Sequence, residues 1–252
     1  MKKMDTPSSD PWEIKCHETA KNKLPQTAGM DAGVLPKYPS MQLFVGKSGS
    51  GKSNLLIEML TNPKLMADFF DDIYLISPTA KSDDLVDHLK LAPDHIWSDI
   101  PQAVKDLEIL LDNQTYDIEC SGIEACAKKG KVLLVFDDCV GNKAMMKSEV
   151  LTKIAIHGRH ALISSIICTQ SYTKVPRVIR LQAQGLALFP SSQNEVELLC
   201  SDYCPPHTTK KAFTKIIDFA TDEPYSFLYI QNHCKEINQR YRKKLGNIIE
   251  IP

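Results

Sequence analysis

Residues 46–53 read Gly46-Lys47-Ser48-Gly49-Ser50-Gly51-Lys52-Ser53, an uninterrupted GxxxxGK[ST] pattern. The pattern follows the apolar run 41–46 and opens a stretch with helical spacing over 51–61. Glycines at these positions let backbone amides turn inward around a phosphate, and a helix start behind them adds positive potential. In such a loop Lys52 reaches the β- and γ-phosphates of a nucleotide and the Ser53 hydroxyl coordinates Mg²⁺. The expected cradle extends from Gly46 to Asn54. A glycine-rich turn without nucleotide is the bland reading, and the flanking strand and helix weigh against it.

A second group lies about 85 residues on, where Val132-Leu133-Leu134-Val135-Phe136 ends in Asp137-Asp138. Asp137 is placed to hold Mg²⁺ through its waters, and Asp138 to orient and deprotonate an attacking water. A third group closes the run 162–168, where Thr169-Gln170 puts an amide beside the position of a γ-phosphate. His157-Gly158-Arg159-His160 precedes that run. A ring of such subunits needs an arginine offered to a neighbour's nucleotide; Arg159, Arg177 and Arg180 are the options, with Arg159 favoured.

These side chains need a scaffold, and the chain alternates accordingly. Strands are predicted at 41–46, 73–77, 132–137, 162–168 and 185–189, and helices at 51–61, 82–90, 101–113, 144–157 and 175–183. Continuously apolar strands separated by helices argue an α/β fold: a mostly parallel sheet covered on both faces. Two further helices (the second at 207–220) and a terminal hairpin turning near Asn232–His233 are expected after it. Residues 1–38, with four prolines and no sustained period, read as an extended or partly disordered arm, leaving 39–252 as one ATPase-type domain.

Composition bounds the function classes. The 252 residues are 43% hydrophobic and carry a net charge of −1, and no stretch approaches a membrane span. The start lacks the apolar core of a secretory signal. Eight cysteines without a CxxC pair read as reduced thiols, with Cys200, Cys204 and His207 at loose metal-like spacing. The charge is segregated: Asp68–Glu119 holds thirteen acids against three lysines, whereas Asp138–Gln184 holds seven Lys/Arg against two acids. A segregated basic segment permits contact with a polyanion. Lys174, Arg177 and Arg180 are the candidate DNA contacts, and Lys210, Lys211, Arg240, Arg242, Lys243 and Lys244 a second candidate surface.

Other nucleotide enzymes fit less well. Asn142-Lys143 is followed by Ala144-Met145 and not by a guanine-reading NKxD element; an LSGGQ-like signature and an arginine-rich kinase lid are also missing. Together, LFVGKSGSGKS, LLVFDD and GRHALISSIICTQSYTKVPRVIR resemble the DNA-packaging ATPases of poxviruses, other large cytoplasmic DNA viruses and virophages, within the FtsK–HerA superfamily. The resemblance covers 41 to about 200; the arm and an insertion near 114–130 fall outside it. It implies a RecA-like P-loop fold with an additional strand, binding ATP and Mg²⁺. It further implies translocation of double-stranded DNA irrespective of sequence, a homo-oligomeric ring of six, a capsid or portal-vertex partner, and a place in the host cytoplasm or the virion. Lys52, Asp137, Asp138, Gln170 and Arg159 would be its catalytic residues. A cellular or plasmid DNA pump of the same superfamily, and a non-hydrolysing nucleotide-bound assembly protein, are the alternatives.

Overall fold

The apolar runs bury both of their faces, which requires a sheet sandwiched between helices. The computed structural model describes residues 23–80, 84–205, 207–234 and 239–250. Its strands are β1 (Met41–Val45), β2 (Asp72–Ile76), β3 (Ile96–Trp97), β4 (Val132–Asp137), β5 (Ile163–Thr169), β6 (Gly185–Leu188), β7 (Leu228–Gln231), β8 (Tyr241–Lys243) and β9 (Asn247–Ile248). They form one sheet in the order β3-β2-β4-β5-β1-β6-β7-β8-β9. The first six are parallel, and β7 to β9 extend the sheet antiparallel. β5 is thus inserted between the strand that leads into the glycine-rich loop and the strand that ends in Asp137, as the resemblance implies.

The helices are α1 (Ala28–Asp31), α2 (Lys52–Thr61), α3 (Asp84–Leu89), α4 (Ile100–Ser121), α5 (Ile123–Lys129), α6 (Lys143–Met146), α7 (Glu149–His157), α8 (Arg177–Gln182), α9 (Gln193–Tyr203) and α10 (Lys210–Ala220). Alternate strand residues feed two cores. Leu43, Val45, Leu134, Phe136 and Ile167 face α4 and α6 to α10, while Phe44, Leu133, Val135 and Ile166 face α2, α3 and α5. This period-two division is what a sheet covered on both faces demands.

Three expectations are revised. The helix predicted at 101–113 runs on to Ser121, because nothing before Gly122 (φ +82°) breaks it. The apparent insertion at 114–130 is therefore the end of α4 followed by α5. The helix predicted at 144–157 is two helices, since Ser148 leaves helical geometry and its hydroxyl accepts from the Leu151 amide to start α7. The terminal hairpin is present, but β8 begins only at Tyr241; residues 235–238 lie outside the described ones.

The largest departure concerns the arm. Residues 1–22 lie outside the described residues, but Leu24, Met30, Leu35 and Tyr38 are buried in the core beneath α2. The segment is stitched to the sheet. The Tyr38 hydroxyl donates to the Leu162 carbonyl (2.8 Å), and the Gln231 amide donates to the Leu35 carbonyl (2.7 Å). The packed fold therefore begins well before residue 38. Its apolar residues follow no helix or strand period because the segment crosses the sheet face as a loop. Leu35→Ala should lower unfolding stability in urea by about 3 kcal/mol, as for a fully buried leucine. A loose arm would leave stability within ~0.5 kcal/mol of wild type.

Candidate active site

Parallel strands end on the same side, so β1, β4, β5 and β6 deliver their C-termini to one edge of the sheet. The register pairs Val45 with Thr169 and Asp137 with Cys168, and the Gly46 amide donates to the Thr169 carbonyl (3.0 Å). The glycine-rich loop, the Asp137-Asp138 pair and Gln170 consequently stand side by side. A cavity of about 200 Å³ is lined by Ser48, Gly49, the segment Gly51–Asn54, Asp137, Asp138, Gln170 and Tyr225. Gly46, Lys47 and Ser50 complete the loop behind it. The site residues expected from sequence are brought together here, with Arg159 the exception.

Gly51 and Gly46 are sterically required, each for its own reason. Gly51, the residue that starts α2, has φ +107°, where side chains are strained. A Cβ on Gly46 would come within 2.5 Å of the Phe189 Cβ and 2.6 Å of the Ser50 Oγ. The tight loop folds Lys52 back over itself. Its ammonium is largely buried and donates to the carbonyls of Gly46 (2.8 Å) and Lys47 (3.0 Å). The buried Ser50 hydroxyl has no partner among the described residues. An ammonium and the α2 N-terminus at one small cavity suit a polyphosphate.

Across the cavity, Asp138 takes the left-handed conformation (φ +48°, ψ 21°), uncommon for a residue with a side chain. The Gln170 amide donates to both carboxylate oxygens of Asp138, at 3.2 Å each. Behind them Cys139 is packing. Its thiol donates to the Ile76 carbonyl (3.1 Å), and burial, then the charges of Asp137 and Asp138, push it up to about 12. A hydroxyl (Ser53) and a carboxylate (Asp137) at the cavity wall suit Mg²⁺, which takes few protein ligands and keeps waters and phosphate oxygens. Cys200, Cys204 and His207 form no such site. The Cys204 thiol donates to the Thr208 carbonyl (3.2 Å), and no cluster of three His, Cys, Asp or Glu able to hold a metal occurs among the described residues.

Sequence reasoning missed the other half of the pocket. Beside the cradle opens a cleft of about 880 Å³ with walls from Val34, Leu55, Phe189, Tyr225, Phe227 and Leu245. Tyr225, itself left-handed (φ 59°), borders both cavities. Two polar side chains of the cleft satisfy one another, the Asn62 amide donating to Glu58 (2.7 Å). No sequence pattern links these residues, which come from five separate segments.

Arg159 lies elsewhere. It is exposed in the 3₁₀ turn Gly158–His160 at the opposite end of β5, roughly 20 Å from Gln170 along a seven-residue strand. It lines a separate cavity of about 270 Å³ with Lys37, His160, Gln184 and His233. Burial, then the positive charges of Arg159 and Arg240, holds the His233 imidazole below its ordinary range.

The proposed DNA contacts divide. Lys174 and Arg177 are exposed. Arg180 is not available: its guanidinium packs 5.0 Å from the centre of the Tyr172 ring and pairs with Asp202. The second surface also shrinks. Arg242 is buried, and Lys243 is buried against Asp222 and Glu223 (2.6 and 3.1 Å). Arg240 donates to Asn232 (2.7 Å), while Lys210, Lys211 and Lys244 remain exposed. No helix among the described residues is long and apolar enough to cross a membrane.

A family model described as Poxvirus A32 protein matches residues 32–238. No curated protein sequence matches. Among solved structures, the chain is similar to B204, the DNA-packaging ATPase from Sulfolobus Turreted Icosahedral Virus. The TM-score is 0.57 at 17% identity, over 85% of this chain and 99% of that one. It is also similar to the genome packaging NTPase B204 from Sulfolobus turreted icosahedral virus 2 in complex with ATP-gammaS, with a TM-score of 0.54 at 19% identity over 83% and 98%. EssC (ATPases 2 and 3) from Geobacillus thermodenitrificans matches at 0.55 and 12% identity, over 77% of this chain and 38% of that one. At these identities the solved structures establish a shared fold.

The two arginines of α8 should behave oppositely. Arg180→Ala removes one partner of a largely buried ion pair and should cost roughly 3 kcal/mol of unfolding stability. Arg177→Ala should leave stability within ~0.5 kcal/mol of wild type.

Proposed function

The chain belongs to the poxvirus A32 protein family, and from that premise we propose that it is an ATP-hydrolysing motor that packages double-stranded viral DNA into a preformed capsid. The observation that carries this reading is the shared cavity, in which Lys52 and Ser53 of one strand-loop-helix unit face Asp137, Asp138 and Gln170 from two neighbouring strands. The residue types divide the labour. Lys52 and the loop amides hold the β- and γ-phosphates, and the apolar cleft beside Tyr225 takes the base and ribose. Mg²⁺, held by Ser53 and Asp137, supplies charge neutralisation on the phosphate oxygens.

Asp138 accepts the proton of the attacking water as its oxygen bonds to the γ-phosphorus and the bond to the ADP oxygen breaks. Gln170 meets the γ-phosphate and loses that contact when phosphate leaves. The left-handed backbone at Asp138 aims its carboxylate at Gln170, so base and sensor begin as hydrogen-bonded partners. Arg159 serves a neighbouring subunit. In a head-to-tail ring the nucleotide-bearing edge of one copy meets the opposite edge of the next, and Arg159 stands on that opposite edge. We read the assembly as a hexamer acting with a capsid or portal-vertex protein in the host cytoplasm. The exposed Lys174 and Arg177 face DNA phosphates, contacts that are indifferent to sequence and sensitive to salt.

ATP turnover measured with and without double-stranded DNA tests the reading. Wild type should hydrolyse ATP faster with DNA, and Asp138→Ala should lower turnover about 100-fold or more, the scale of a lost general base. Equal turnover in Asp138→Ala would remove the base assignment, and nucleotide binding without hydrolysis would favour the assembly-protein alternative. The ring geometry has its own check. Mixing Arg159→Ala with Lys52→Ala subunits should recover hydrolysis at the interfaces where an intact cradle meets an intact arginine. Turnover no higher than the sum of the separate variants would place the arginine elsewhere.

A further inference from the structure

Glu195 is almost fully buried, yet it is not part of the phosphate cavity. It is the third residue of α9, where a glutamate ordinarily reaches back to the amide of its own N-cap. Its oxygens instead serve a segment more than twenty residues earlier in the chain. One accepts from the hydroxyls of Ser171 (2.9 Å) and Thr173 (3.0 Å), and the other from the Thr173 amide (2.8 Å). Those donors immediately follow Gln170. Burying a carboxylate is costly, and three donors from one loop make that cost conditional on where the loop stands.

A second connection runs alongside. The buried Tyr172 hydroxyl donates to Asp202 on α9 (2.7 Å), and Asp202 also pairs with Arg180 of α8. Residues 171–174 are thereby clamped at both ends of α9; exposed Lys174 ends the clamped segment, and exposed Arg177 opens α8 three residues later. A backbone displacement at Gln170 that carries Ser171 and Thr173 along must either take α9 with it or break the Glu195 bonds.

We propose that Glu195 is a positioning residue that ties the loop after Gln170 to α9 and so transmits the state of the phosphate cavity to the basic surface at Lys174 and Arg177. The proposal rests on the reading of Gln170 as the γ-phosphate contact of a DNA motor. Glu195→Gln keeps the shape but removes the charge that holds three donors, whereas Glu197→Gln, on the same helix with its carboxylate on Gln193, is the control.

Hydrogen exchange of the full chain, with and without ATPγS and Mg²⁺, reads the linkage directly. In wild type the nucleotide should protect 46–61 and also change exchange in 171–182 and 193–203. Glu195→Gln should keep the protection of 46–61 and lose the response of 193–203, and Glu197→Gln should keep both. In turnover assays Glu195→Gln should lose stimulation by double-stranded DNA with an unchanged KM for ATP. The proposal is overturned if 193–203 does not respond in wild type, if Glu195→Gln retains that response, or if Glu197→Gln loses it equally. It is also overturned if basal and DNA-stimulated turnover fall together. Absence of protection at 46–61 in wild type would instead sink the nucleotide reading itself, and the linkage with it.

Discussion

A buried lysine ammonium whose hydrogen bonds go to carbonyl oxygens is the constraint around which the site is arranged. Lys52 is held by Gly46 and Lys47, dipoles that solvate a charge without neutralising it. Such a cation gains most from an arriving polyanion, and the α2 N-terminus points the same way. The backbone path that buries it depends on Gly46 and Gly51, and Gly46 in turn is pressed against Phe189 at the end of β6. A loop this tight cannot be built on a mobile base, and the pairings of β1 with β5 and β6 on either side fix its root. The carboxylates stand across the cavity and not on the lysine. That separation keeps the ammonium available to phosphate.

How much of this was legible in the sequence depends on whether a residue's role is local. The glycine-rich loop, the strands around it and Asp137-Asp138 could be read because strand, turn and helix each leave a short-range pattern. Leu35 and Tyr38 could not, since an irregular segment that crosses a sheet has no period to detect. Tyr225, Phe227 and Leu245 meet Leu55 only through the antiparallel extension of the sheet, which separates them by more than 150 residues of chain. Charge was read least well. Arg180, Arg242 and Lys243 looked like solvent-facing cations, but Asp202, Asp222 and Glu223 draw two of them inward, and Arg242 is buried within β8. A sequence count of basic residues overstates a polyanion surface wherever the fold supplies internal partners.

The two ends of the parallel strands do different work. Their C-termini collect the glycine-rich loop, Asp137-Asp138 and Gln170, where the crevice rule for open α/β sheets puts a ligand site. Their N-termini carry Arg159, His160 and the segment that includes Lys37, a basic cluster beside His233, whose imidazole is held below its ordinary range by burial first and by the charges of Arg159 and Arg240 second. One body thus presents a site needing a cation at one edge and surplus cations at the other. In the proposed head-to-tail ring these two edges meet, whereas a two-fold pairing would set like edge against like.

The geometry at β4 and β5 gives a reason for Asp138 to be strained. An extended residue there would continue the strand; the left-handed turn instead brings its carboxylate level with Gln170, one strand away. Such a conformation costs on the order of 1 kcal/mol and persists only when its surroundings hold it. The 3₁₀ turn Cys139–Gly141, anchored by the Cys139 thiol on the Ile76 carbonyl, does so. In the proposed motor the Gln170 amide exchanges Asp138 for a phosphate oxygen, at the root of the loop that Glu195 grips. Asp138, Gln170 and α9 are therefore joined by two sets of hydrogen bonds, Gln170 to Asp138 and Ser171 and Thr173 to Glu195, with the backbone from Gln170 to Ser171 between them. Under the proposed function, that succession is the physical route from the phosphate cavity to the cationic surface at Lys174 and Arg177.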